Sequence, residues 1–188
     1  LAEAGFETLA KSLEQLADEH IVNNPYDDND DRHWQWFVLP ADEVVEAVNL
    51  NSPGQVVIAG NKAAVERAMV LAKEKGAKRA LPLPVSVPSH SSLMLPAAEK
   101  LLAHLQGVTI VLPAIPVLHN TDVQSHAGAD AIRVALAKQL HTPVRWVETM
   151  LAMQAADVTH VFECGPGKVL SGLVKRCAES LSGASMND

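Results

Sequence analysis

The 188 residues suit one ordinary domain or two small ones, and a 48% share of apolar residues is enough to build a real core. A net charge of −7 disfavours nucleic acid as the main partner, and no apolar run approaches membrane-spanning length or forms an N-terminal signal pattern. The two cysteines, Cys164 and Cys177, form no Cys-x-x-Cys pair, which argues against a disulfide scaffold or zinc knuckle and fits a reducing cytoplasm.

Residues 1–22 read as an amphipathic helix, with Phe6, Leu9, Leu13 and Leu16 at helical spacing. Such a stripe covers a core; a partner-binding helix is the alternative. The loop NNPYDDNDDRH follows. Its aspartates suggest a calcium site, but the pattern fails. Counted from Asp27, the positions that need Gly and Glu hold Arg32 and Val38. A solvated acidic loop fits better. WQWFVLP, 34–40, alternates and predicts a strand ended by Pro40. Residues 1–42 hold ten acids against two bases, and five of the seven aromatics, so composition places a junction near residue 42.

From residue 43 the pattern is regular. EVVEAVNL predicts a strand, NSPGQ a turn and VVIAG (56–60) a second strand, as a hairpin or close pair. NKAAVERAMVLAKEKG, 61–76, predicts a helix capped by Asn61 and stopped by Gly76, with Ala64, Val65, Ala68, Met69 and Ala72 on one face. AKRALPLPVSV (77–87) reads as a third strand. This order fits a small α+β unit of ferredoxin-like type. Beyond it come a helix (91–106), a strand (115–120), a helix (128–140), a second helix after Pro143, a strand in THVFECG (159–165) and a last helix (168–181). Alternation of this kind implies a parallel α/β sheet.

His90 stands at a strand-to-helix corner in VSVPSHSSLM. Pro88 ends the strand and Ser89 is placed to cap the helix. A histidine here is either a polar capping residue or a base facing a cleft. ECGPGKVL, 163–170, fails the phosphate-loop pattern, which needs Gly and Ser or Thr where the chain has Phe162 and Val169. What remains is a glycine turn at a helix N-terminus, for a ligand or only for a tight connection. No Gly-x-Ser-x-Gly elbow occurs; Gly183-Ala-Ser185 comes closest, in what reads as a frayed tail.

Five stretches occur in order: NLNSPGQVVIAG (49–60), AKRALPLPVSVPSHSSLM (77–94), PVLHNTDV (116–123), AKQLHTPVRW (137–146) and ECGPGKVLSGLVKR (163–176). Together they resemble the C-terminal half of the malonyl-CoA:acyl carrier protein transacylases of type II fatty-acid synthesis, over about residues 43–188. The resemblance implies an α/β fold: part of an α/β-hydrolase-like acyltransferase domain (84–188) and a partial ferredoxin-like small subdomain (43–83), with 1–42 an unassigned acidic segment. It implies malonyl transfer from coenzyme A to acyl carrier protein in the cytoplasm. The coenzyme A thioester is then substrate, and no cofactor, metal, nucleic acid or membrane is involved. By the same resemblance His90 is the general base, the Gln139 carbonyl orients its ring, and Asn49 and Asn51 line the substrate cleft. The family's Gly-His-Ser-x-Gly elbow, its oxyanion loop and its malonyl-binding arginine have no match here. The expectation is therefore a chain without the nucleophile half and inactive alone, with a non-catalytic binding or structural fragment as the alternative.

Overall fold

The computed structural model describes residues 21–22, 36–39 and 43–186. The helix expected over 1–22 lies outside them except for its last two residues, which are extended in β1 (Ile21–Val22). The acidic loop lies outside them as well. β1 pairs antiparallel with β2 (Trp36–Leu39), the strand expected in WQWFVLP, and β2 with β3 (Glu43–Ser52). The sheet therefore runs across the compositional junction at residue 42.

β3 and β4 (Gln55–Gly60) form the expected hairpin. Pro53 supplies a fixed φ at the first turn position, and Gly54 takes the left-handed φ of 77° required at the second. α1 (Lys62–Glu74) lays Ala64, Ala68 and Ala72 against this hairpin. The sides of these alanines are short, so helix and sheet approach closely. Asn61 occupies the N-cap position, but its side chain does not cap the helix. Its Oδ1 instead accepts the Val44 N–H at 2.7 Å, while its own N–H donates to the Val44 carbonyl at 2.8 Å, which locks helix to strand.

Two expected strands do not form. Residues 77–87 have no ladder partner among the described residues, and 115–120 contribute one isolated bridge, Leu118 to Ser125. A strand exists through its partner's hydrogen bonds, and Pro82 and Pro84 remove two donors from the first segment. Their aliphatic side chains stay in water: Leu81 is 69% exposed, Val85 70% and Ile115 74%.

A short 3₁₀ turn (Ser92–Met94) leads into α2 (Leu95–Leu105), and α3 (Ala129–Lys138) packs on α2. α4 (Trp146–Ala155) leads to β5 (His160–Glu163), α5 (Val169–Cys177) and β6 (Ser182–Ser185). β5 and β6 are parallel with α5 as their crossover. β6 corrects the reading of 183–185 as a frayed tail, for Ser185 is buried and opposite Glu163. A Cβ on Gly183 would lie 2.5 Å from the Ser171 carbonyl oxygen, so only glycine lets α5 rest on this strand. Of the parallel sheet expected beyond His90, the described residues form one ladder, β5 with β6, besides an isolated parallel bridge from Asn49 to Val144; the larger sheet is antiparallel.

The core beneath this unit is Met150, Val174, Ala178 and Leu181, flanked by Trp146, Met153, Val161 and Cys177. Met150 is almost fully buried. Met150→Ala is expected to cost about 2–5 kcal/mol in urea unfolding, the range for a large-to-small core change that cannot collapse. A loss below about 1 kcal/mol would mean that this cluster repacks freely.

Candidate active site

His90 is held from three directions. Its φ of 67° is left-handed, an uncommon place for a residue with a Cβ. Its N–H donates to the Leu140 carbonyl at 2.9 Å. Its ring Nδ1 lies 2.5 Å from the Gln139 carbonyl oxygen. A carbonyl only accepts, so Nδ1 carries a proton, and in the neutral ring Nε2 keeps its lone pair. Both carbonyls stand at the C-terminal end of α3, where Gln139 is the C-cap and the last carbonyls lack intrahelical donors. A helix end has thus been turned into a cradle for an imidazole. Among the described residues no serine or cysteine side chain hydrogen-bonds to this ring.

The two serines that follow His90 are engaged. Ser91 is fully buried, and its hydroxyl donates to the Pro88 carbonyl at 2.7 Å. Ser89 does not cap the following turn. Ser91 takes the N-cap position without a side-chain cap bond, and the Ser92 N–H donates instead to Glu46 Oε2 at 2.6 Å. Glu46 was not singled out by the sequence, and no local pattern points to it.

Asn49 and Asn51 are half-buried on β3, between the buried Val48, Leu50 and Ser52. A strand that kept the phase of Val45 and Ala47 would turn both asparagines into the core. A register shift between Ala47 and Asn49 prevents this. The bulge re-aims everything after it, so that Val48 and Leu50 go in and the amides come out. The adjacent apolar pair Ala47-Val48 is its mark in the sequence.

One segment gathers these parts. Residues 139 and 140 hold His90. Val144 then pairs with β3 across Asn49, its N–H to Val48 O at 2.9 Å and its carbonyl to Leu50 N–H at 3.0 Å. Arg145 N–H donates to the Asn120 carbonyl at 2.9 Å, which joins the 118–125 loop. In that loop the Asp122 carboxylate accepts from His126 Nε2 at 3.0 Å, and the His119 ring stacks obliquely on His126. Burial and the neighbouring His126 lower the pKa of His119. Among the described residues no group of three His, Cys, Asp or Glu side chains is placed to hold a metal ion.

The glycine turn in ECGPGKVL serves the chain itself. Glu163 Oε2 accepts the Ser171 N–H at 2.9 Å, so the N-terminus of α5 receives a carboxylate from β5. The Ser171 N–H bond, with those of Leu170 and Val169, lowers the Glu163 pKa. A lowered folded value makes this contribution present above the unfolded pKa and lost as pH falls through the folded one. The Ser171 amide shift, followed by NMR, is expected to titrate with a midpoint below that of an ordinary glutamate, and to lose that step in Glu163→Gln. A midpoint at the ordinary value would show that the cap bond does not form in solution.

No family model matches the chain. Against curated proteins it is 54% identical over 146 residues to a malonyl CoA-acyl carrier protein transacylase of Escherichia coli K12, covering 78% of this chain and 47% of that protein. The Haemophilus influenzae protein of the same name is 58% identical over the same length, with the same coverages. The stretch that matches is homologous to the malonyl CoA-acyl carrier protein transacylases. The chain spans about half the length of these curated relatives. Among solved structures, an acyl carrier protein S-malonyltransferase from Vibrio cholerae superposes with a TM-score of 0.80 at 47% identity, covering 97% of this chain and 52% of that one. A malonyl-transacylase solved in complex with a type II polyketide acyl carrier protein gives a TM-score of 0.81 at 44% identity, covering 97% and 52%. The α/β character of this chain is thus that of transacylase structures. No helix among the described residues is long and apolar enough to cross a membrane.

Proposed function

We propose that this chain carries the general-base part of a malonyl-CoA:acyl carrier protein transacylase. The observation that supports it best is the His90 Nδ1 contact to the Gln139 carbonyl, which leaves Nε2 as a base. In the proposed reaction Nε2 takes the proton of a serine hydroxyl as its oxygen bonds to the malonyl carbonyl carbon. The carbon–sulfur bond then breaks and coenzyme A leaves with that proton. The carrier protein's phosphopantetheine thiol reverses the sequence. No electron is gained or lost, so the reaction asks for no redox cofactor, and the coenzyme A is substrate. Asn49 and Asn51 offer amide donors and acceptors on β3, the strand that Val144 joins four residues after Leu140. The partners in this reading are malonyl-CoA and acyl carrier protein, with no role for nucleic acid or membrane, and the place is the cytoplasm, with which two unpaired cysteines agree.

The finer architecture belongs to the same reading. Residues 43–83 would be part of a ferredoxin-like small subdomain, 84–188 the C-terminal part of an α/β-hydrolase-like domain, and 1–42 stay unassigned. The serine elbow of the family has no match in these 188 residues, so the test is a hybrid enzyme. The 146-residue matched stretch replaces its counterpart in the E. coli relative, and malonyl transfer to acyl carrier protein is measured. Transfer that depends on His90 supports the reading. A folded hybrid that binds but never transfers favours a non-catalytic module.

A further inference from the structure

We propose that Glu46 is the positioning residue for His90. The inference rests on the acyltransferase reading for its purpose, and on geometry alone for its existence. Four of the bonds that tie residues 88–92 bear on the His90 corner. Two run from His90 to the carbonyls of Gln139 and Leu140, and one is internal, from the Ser91 hydroxyl to Pro88. These acceptors are all main-chain carbonyls, which any residue would supply. The fourth is the bond from the Ser92 N–H to the Glu46 carboxylate, 46 residues away in sequence.

Two further observations give this carboxylate its role. The Ser92 N–H reaches it at 2.6 Å, a short contact, and the His141 imidazole acts on it electrostatically. Ser92 is two residues after His90, and His141 directly follows the two residues whose carbonyls hold His90. Glu46 thus joins both walls of the cradle. It also sits on β3, three residues before Asn49, so it refers the base to the strand that carries the amides. A charge-assisted bond is stronger and shorter than a neutral one. A non-glycine residue at a positive φ persists only where its surroundings over-determine it. Burial raises the Glu46 pKa, so the proton that would weaken the clamp arrives at a milder pH than for an exposed glutamate. The groups that face it are His141 and, through Ser92, the His90 corner.

The test is made on the 188-residue chain by NMR, with no activity needed. The nitrogen shifts of the His90 ring report which nitrogen holds the proton, and the Ser92 amide proton reports the bond. In the native chain His90 is expected to be the Nδ1–H tautomer with a strongly downfield Ser92 amide. Glu46→Leu is expected to move the Ser92 amide upfield and mix the two His90 tautomers. Glu46→Gln, whose amide oxygen still accepts, is expected to restore both. Ser92→Pro deletes the donor and leaves the carboxylate in place. Proline is favoured at a first helical position, and the extended Ser91 suits a following proline, so this variant checks the idea should Glu46→Leu not fold. It is expected to mix the tautomers as Glu46→Leu does. An unmoved His90 tautomer in a folded Glu46→Leu or Ser92→Pro chain would overturn the proposal. Failure of the hybrid to transfer malonyl would overturn only the enzymatic reading, because the tautomer measurement does not depend on it.

Discussion

Changing His90 to alanine in the hybrid transacylase is expected to lower malonyl transfer by about 10²–10⁴-fold, the usual worth of a positioned general base. The reason is local. Gln139 O fixes the proton on Nδ1 at 2.5 Å, so the ring presents a lone pair rather than an N–H at Nε2. Without the ring, the attacking hydroxyl has no acceptor for its proton, and the leaving thiolate has no donor. The Gln139 side chain is not part of this device, because only its carbonyl is used. Gln139→Ala is therefore expected to keep most of the activity that His90→Ala loses. Steady-state transfer to acyl carrier protein, measured on both variants beside the parent hybrid, checks the pair. Equal losses in the two would mean that the amide side chain, and not the carbonyl, matters.

The second large effect is an absence of reaction. The purified 188-residue chain, incubated with malonyl-CoA, is expected to show no stoichiometric malonyl adduct by intact mass. A nucleophile must meet the base, and none of the described serines or cysteines hydrogen-bonds to the His90 ring. The Ser91 hydroxyl is buried and committed to the Pro88 carbonyl. The Cys177 Sγ–H points to the Asn51 carbonyl, and burial raises its pKa away from the reactive thiolate. A tetrahedral intermediate also needs preorganised donors, and losing even one typically costs about 10²–10³-fold. The family's oxyanion loop has no match among these residues. An adduct on Ser89, lost in His90→Ala, would show a nucleophile placed in a way that neither spacing nor geometry suggests.

Much of this was legible in the sequence. Helical spacing marked α1 by Ala64, Ala68 and Ala72, and Pro53-Gly54 marked the hairpin turn, because both signals are local and their chemistry is complete within a few residues. The family resemblance implied that the Gln139 carbonyl meets His90 although 49 residues separate them, and the structure puts ring and carbonyl in contact.

Other features were decided only by tertiary packing. Residues 81–87 and 115–117 have strand-like side chains but no ladder, since periodicity reports what a side chain prefers and says nothing of whether a partner strand is present. Gly183–Ser185 looked like a loose end because so short a strand has no pattern of its own; it is ordered by β5 and by α5 lying on its glycine. The outward turn of Asn49 and Asn51 depends on a bulge that β4 and Val144 impose from either side. The carboxylate on Ser92 comes from a strand that the chain left 46 residues earlier. Sequence fixes the local chemistry of each segment, whereas the partner of a hydrogen bond between distant segments is chosen by how the layers pack, and a base held by main-chain carbonyls leaves no residue type at those positions to read.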